Sequence, residues 1–131
     1  MAPVSRGKSM ARRTITEFRA ERAAGNEKIF ALDHLGIKRF MRLDSATYED
    51  GALPAKTKEM LGLVASAVLR CNDCIDYHLE QCVSAGFARE EIADGLNVAL
   101  VVGGSIVIPH LRHALFTLNE LCAEAGRAGA E

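Results

Sequence analysis

Residues 54–86 read PAKTKEMLGLVASAVLRCNDCIDYHLEQCVSAG, and this stretch decides the fold. Apolar residues recur at spacings of three and four on both sides of Cys71, a pattern that predicts two amphipathic helices. Pro54 suits the first turn of a helix, and Gly86 suits a left-handed helix stop. The short break near Cys71 makes the two helices antiparallel. Their predicted buried faces contain Met60, Leu61, Val64, Ala67 and Val68, then Ile75, Leu79 and Cys82.

The chain that follows this hairpin predicts two more helices. Glu90 and Glu91 suit the positive end of a helix dipole, so a helix should begin near them. Two Gly and one Pro within residues 103–109 must interrupt it. A final helix is predicted over residues 109–124. The expected buried residues are Ile92, Leu96, Ala99, Leu100 and Val101 on the first of these helices, and Leu111, Leu115, Leu118 and Leu121 on the second.

The chain that precedes the hairpin has weaker signals. Residues 1–10 contain Pro, Gly and two Ser without an apolar period, so we expect a flexible tail. A polar helix with a thin apolar stripe is predicted over residues 11–24, with Gly25–Asn26 as its stop. Two short helices separated at Gly36 should follow, before a turn at residues 50–54.

The whole pattern predicts an all-α fold, a single-domain bundle of about six helices. A length of 131 residues fits one domain. Within it, we assign residues 11–50 to N-terminal helices and residues 51–125 to the helical core.

Composition and charge exclude several classes of partner and ligand. Lys and Arg number 16 against 17 Asp and Glu, with two Tyr, five Phe and no Trp, so we expect no nucleic acid partner. The longest apolar stretch, 98–109, is too short to span a membrane, and no secretion signal core is evident, which favours a cytoplasmic protein. Gly103 and Gly104 belong to no phosphate-binding motif, so we expect no cofactor.

A Cys-x-x-Cys pair carries the clearest chemistry. Cys74 falls in the first turn of a predicted helix, and His78 lies one turn later on the same face. The helix dipole and the imidazole both favour a thiolate, and if one of the two thiols is oxidised to a sulfenic acid, the other can condense with it. Asp73, between the two cysteines, would raise the pKa of their thiols. The alternative is structural: two small cysteines that pack and a histidine that satisfies a hydrogen bond.

A longer pattern extends this pair. Glu59 precedes Cys71 by eleven intervening residues, and GALPAKTKEM, AGFAREEI and VVGG flank the motif. This arrangement resembles the carboxymuconolactone decarboxylase and alkylhydroperoxidase D family over about residues 50–125. The resemblance implies an all-helical fold and a homotrimer, or a hexamer built from trimers.

For members that keep both cysteines, the resemblance also implies an enzyme that reduces a small hydroperoxide through a disulfide cycle. Cys74 would be the peroxidatic thiol and Cys71 the resolving thiol, with Glu59 and His78 as a proton relay. Since Glu59 and His78 lie on different helices, water or a helix crossing must join them. An external dithiol would restore the reduced pair, and no metal is implied.

Two other functions stay open. A decarboxylase acting on a small carboxylated lactone would need cationic groups, for which His110, Arg112 and His113 are the local candidates. Alternatively, His110 and His113 together with Cys71 and Cys74 could supply four ligands to a structural zinc ion in a non-catalytic assembly module. The remaining cysteines, Cys82 and Cys122, are expected to be small core residues.

Overall fold

The chain is described from a computed structural model that covers residues 12–130, with side chains to residue 126. The flexible tail predicted for residues 1–10 lies outside the described residues. The described chain contains no strand, so the predicted all-α fold is confirmed. Its helices are α1 (Ile15–Ala31), α2 (Leu35–Thr47), α3 (Ala55–Val68), α4 (Asn72–Ser84), α5 (Arg89–Gly103) and α6 (Ile108–Ala130), with a 3₁₀ turn at Ser105–Val107.

Helices α3 and α4 form the predicted antiparallel hairpin. The Asp50 side chain accepts a hydrogen bond of 2.7 Å from the Ala55 N–H and so caps the start of α3. At the other end, Arg70 adopts a left-handed conformation (φ 60°), and the Cys71 N–H donates to the Ser66 carbonyl at 3.0 Å. This reversal is a Schellman motif, and it delivers Cys71 directly to the start of α4.

The core lies where α3 and α4 pack against α5 and α6. Its fully buried large side chains are Leu63, Ile75, Leu79, Cys82, Ile92, Val107 and Leu118. Three residues predicted to be buried are instead exposed: Leu61 by 53%, Val101 by 77% and Leu115 by 42%. Each stands at one edge of a wide apolar stripe, and the neighbouring helices cover only part of that stripe.

The N-terminal helices differ from the prediction. Helix α1 continues through Gly25 and Asn26 to Ala31, because an isolated Gly in a helix costs only about 1 kcal/mol and other residues hold the helix. Gly36 lies inside α2 rather than between helices. The actual break falls just before α2, where Asp33 is left-handed (φ 51°) and the His34 ring accepts hydrogen bonds from the first turn of α2.

Helix α1 attaches to the core through its first turns. Ile15 and Phe18 are buried, and the Ile15 N–H donates to a Glu120 carboxylate oxygen at 2.9 Å. Arg19 forms ion pairs with Glu80 of α4 and with Glu124 of α6. These contacts fix the start of α1 beside α4. Across residues 12–130, no helix is both long enough and apolar enough to cross a membrane.

Candidate active site

The cysteine pair occupies the start of α4. Cys71 is the N-cap residue, and its sulfur accepts a hydrogen bond of 3.3 Å from the Cys74 N–H. A disulfide joins the two residues, whose Cα atoms are 5.3 Å apart. Both sulfurs therefore lie at the positive end of the helix dipole, which would stabilise a thiolate after reduction.

Glu59 and His78 meet across the hairpin. Glu59 of α3 accepts a hydrogen bond of 2.9 Å from Nδ1 of His78 on α4. Both side chains are largely buried, with exposed fractions of 13% for Glu59 and 10% for His78. The structure therefore joins these two predicted residues by a helix crossing, without an intervening water.

A glycine on α3 makes room for the histidine. A Cβ atom at Gly62 would lie 2.6 Å from Cε1 of His78, which is closer than nonbonded carbons can approach. The imidazole ring therefore packs directly on the backbone of α3, and any larger residue at position 62 would displace it.

Two tyrosines flank His78. The Tyr48 hydroxyl lies 3.4 Å from Nε2 of His78, so with Nδ1 donating to Glu59 the hydroxyl can donate to Nε2. The Tyr77 ring packs edge-on against the imidazole, with centroids 5.1 Å apart. Burial raises the pKa of both phenols, and nearby carboxylates, Glu59 among them, contribute to the rise. Sequence reasoning missed Tyr48, since no spacing rule links it to His78.

A cavity of about 440 Å³ opens beside the disulfide. Cys74 and His78 both line it, together with Tyr77 and with Phe18 and Ile29 of α1. Its charged lining residues are Arg13, Arg22, Glu21, Asp44 and Asp73. The cavity thus gives a small molecule access to Cys74 from the side on which His78 lies.

Asp73 is paired rather than free. The Arg13 guanidinium lies 2.7 Å from an Asp73 carboxylate oxygen, 3.0 Å from Glu21 and 3.3 Å from Asp76. The hydrogen bond with Asp73 raises the pKa of Arg13 above its ordinary value, and Glu21 and Asp76 add to the rise. The negative charge that Asp73 places between the two cysteines is therefore compensated in the folded protein.

The His-x-x-His motif of α6 faces α4 outside the cavity lining. His110 Nδ1 lies 2.8 Å from the Asn72 side-chain oxygen. His113 Nε2 lies 2.8 Å from an oxygen of the buried Asp76, which also accepts a hydrogen bond from Thr117. Within the described part of the chain, no three His, Cys, Asp or Glu side chains converge in a way that could hold a metal ion. The two histidines instead connect α6 to α4.

The two remaining cysteines carry free thiols away from the disulfide. Cys82 is fully buried in the core, and burial raises the pKa of its thiol to about 12. Cys122 is half-buried on α6. Neither residue lines the cavity.

The fold and the site together define an all-helical protein that carries a Cys-x-x-Cys disulfide beside a Glu–His pair. A model of the carboxymuconolactone decarboxylase family matches residues 37–116, and the chain belongs to this family. The match runs from the first turn of α2 into the first part of α6, so that the site hairpin lies inside it and α1 lies outside.

Solved structures of family members resemble this one. A protein from Thermotoga maritima is 54% identical, with a TM-score of 0.82 over 85% of this chain and 97% of its own. A second crystal structure of that protein, matched at 58% identity over 72% of this chain, is described as a carboxymuconolactone decarboxylase family protein with a suggested involvement in antioxidative response. A family member from Legionella pneumophila is 25% identical, with a TM-score of 0.75 over 82% of this chain and 96% of its own.

Two curated bacterial proteins are also similar. Protein 4 of the cox locus of Paracoccus denitrificans is 28% identical over 63% of this chain and 74% of its own length. A protein of Cupriavidus necator is 31% identical over 52% of this chain and 60% of its own length. Both are described as uncharacterised proteins.

Proposed function

We propose that this protein is a thiol-dependent peroxidase-like oxidoreductase that reduces hydroperoxides through a Cys71–Cys74 dithiol/disulfide cycle. One observation carries the proposal: the disulfide at the start of α4 borders a cavity that His78, bonded to Glu59, also lines. The antioxidative involvement suggested for the Thermotoga maritima relative points in the same direction.

The cycle begins with the reduced protein. His78 accepts the Cys74 proton at Nε2 in place of the hydrogen bond that the Tyr48 hydroxyl otherwise donates to this nitrogen, while Glu59 holds Nδ1 and stabilises the imidazolium. The Cys74 thiolate attacks one peroxide oxygen, the O–O bond breaks, and the proton held by His78 passes to the leaving alkoxide to give an alcohol. Cys74 is then a sulfenic acid.

Cys71 completes the oxidation. Its thiol attacks the Cys74 sulfur, the S–S bond forms, and the sulfenic hydroxyl leaves with one proton as water. An external dithiol returns two electrons and two protons by thiol–disulfide exchange, and is itself oxidised to a disulfide. The expected partners are thus a small hydroperoxide and a dithiol reductant.

The cavity favours this reaction over decarboxylation of a carboxylated lactone. The cations considered for such a substrate, His110, Arg112 and His113, do not line the cavity. Among the described lining residues, three carboxylates outnumber two arginines, so an anionic substrate would meet net repulsion. A neutral alkyl hydroperoxide suits the apolar surface of Phe18, Ile29 and Tyr77.

The test is to add one equivalent of hydroperoxide to the reduced protein and to map thiols and disulfides by mass spectrometry. We expect loss of the peroxide and formation of the Cys71–Cys74 disulfide. Cys74→Ser should abolish peroxide consumption. Cys71→Ser should consume one equivalent and stop as a Cys74 sulfenic acid, which a sulfenic-acid-specific nucleophile traps.

Cys122→Ser is the matched control, because this half-buried thiol lies outside the cavity and its loss should leave turnover unchanged. If Cys71 and Cys74 stay reduced while the peroxide persists, the peroxidase assignment fails, and a decarboxylase-like activity becomes the leading hypothesis.

A further inference from the structure

Arg13 is the only cation in the described chain that contacts Asp73. It precedes α1, outside the segment that the family model matches, and it reaches across to the first turn of α4. Its guanidinium is held from several sides: by Glu21 on α1, by the buried Asp76 on α4, and by the Phe18 ring 4.8 Å away. This cation is therefore fixed beside Asp73 before any substrate arrives.

We propose that Arg13 is a positioning residue that cancels the charge of Asp73 next to Cys71 and Cys74 and so keeps Cys74 reactive. The inference rests on the proposed role of Cys74 as the reacting thiol. Asp73 sits between the two cysteines in the chain, and its side chain is 71% exposed, so solvent screens part of its charge and the paired Arg13 guanidinium offsets the remainder.

The physical reason is the effect of charge on thiol ionisation. A carboxylate near a thiol disfavours the thiolate and raises the pKa of the thiol, and a guanidinium has the opposite effect. Partly exposed charges a few ångströms apart change a pKa by about 0.5 to 1. A rise of this size lowers the thiolate fraction below the pKa by about three- to tenfold.

Other charged or titratable groups also face the cavity. Arg22 and Glu21 come from α1, Asp44 from α2, and Tyr77 and His78 from α4. Glu59 of α3 stands behind His78. The variants described below leave all of these side chains in place, but Arg13→Gln also removes the cation that pairs with Glu21 and Asp76.

The experiment measures the pH dependence of iodoacetamide alkylation of reduced protein, with mass spectrometry to follow Cys74. Arg13→Gln should raise the apparent pKa of alkylation by about 0.5 to 1 and slow alkylation at pH 7 about three- to tenfold. Asp73→Asn should lower the apparent pKa. The double variant should have an apparent pKa below that of Arg13→Gln, because the Asp73 charge is then absent while Glu21 and Asp76 stay as they are in Arg13→Gln.

Matched controls separate charge from folding. Arg13→Lys keeps the charge and should stay close to wild type. Arg12→Gln should not change the profile, because Arg12 contacts His113 and Phe116 rather than Asp73. If Arg13→Gln proves unstable, Asp73→Asn alone decides: an unchanged apparent pKa overturns the proposal.

Two further results would overturn it: an unchanged profile for folded Arg13→Gln, or a double variant that stays as high as Arg13→Gln. Because alkylation involves no peroxide, the result is independent of the proposed activity. A charge-dependent Cys74 in a protein that consumes no peroxide would leave this inference standing and remove the proposed function.

Discussion

The α3–α4 hairpin and helix α2 differ in how much of their apolar surface is buried. The hairpin buries Leu63, Ile75 and Leu79 completely against the rest of the core. Helix α2 has no buried residue, and Phe40 and Leu43 on it are 65% and 64% exposed. Yet Asp44 of α2 and Tyr48, the residue at its C-cap, lie in the surroundings of His78.

This difference in burial indicates that the hairpin and α2 have different roles at the site. The hairpin fixes Cys74, Glu59 and His78, because its own packing determines where these side chains lie. Helix α2 closes the site from outside, with little packing of its own to hold it there. Large exposed apolar side chains on such a helix favour burial against another copy of the chain.

The largest effect is therefore expected in assembly. We propose a homotrimer, or a hexamer built from trimers, in which the exposed faces of α2 and α5 are covered. On α5, Val101 and Val102 are 77% and 70% exposed. Light scattering at micromolar concentration should give a mass about three or six times that of the 14.2 kDa chain. Leu43→Glu should yield smaller species, whereas Ser45→Glu, which adds the same charge at an exposed polar position of α2, should not. A stable wild-type monomer would contradict the proposal.

The next largest effect is on the stability of the hairpin. Leu63→Ala removes a fully buried side chain and should lower the free energy of unfolding by about 2–5 kcal/mol. Leu43→Ala on α2 should change it by no more than about 0.5 kcal/mol under conditions where the chain is monomeric. Denaturant unfolding measures both values. Equal losses in the two variants would mean that α2 packs as tightly as the hairpin.

The same contrast explains what the sequence could predict. Pro54 and Gly86 bound a local pattern, so the hairpin was predicted almost to the residue, and its crossing brings Glu59 to His78. The contacts of Tyr48 with His78 and of Arg13 with Asp73 join residues 30 and 60 positions apart. No periodicity encodes such pairs, because they depend on how α1 and α2 lie over the hairpin.

Burial was predicted less well at the edges of helices. Leu61, Val101 and Leu115 fit the apolar period and are nonetheless exposed. Periodicity identifies an apolar stripe, but the width of the stripe that is covered depends on neighbouring helices. The helix break at Gly25 was wrong for a related reason, since a glycine alone does not end a helix that other contacts hold.

A substitution at Gly62 should disturb the position of His78 and have a smaller effect than the changes above. Gly62→Ala introduces a Cβ atom where the His78 ring lies, so the imidazole must move away from Glu59. Peroxide reduction by the variant should fall by about tenfold or more, which reflects the loss of a positioned general base. Gly126→Ala on α6 is the control, because its Cβ atom would meet nothing within 4 Å. Unimpaired activity in Gly62→Ala would show that the position of His78 is not critical.

The smallest effect expected is the response of hairpin stability to alkaline pH. Burial raises the pKa of the Cys82 thiol from 9.0 to about 12, so the folded chain holds this proton over a range where the unfolded chain releases it. Stability should therefore fall as pH rises above 9, by about 1 kcal/mol from this group at pH 10. Thermal unfolding of reduced protein at pH 8 and pH 10 would measure the loss.

Cys82→Ala should be less stable at pH 8, because a buried sulfur is removed, but its stability should decline less between the two pH values. Cys122→Ala should keep the wild-type decline, and an identical decline in all three proteins would show that ionisation of Cys82 is not linked to unfolding of the hairpin.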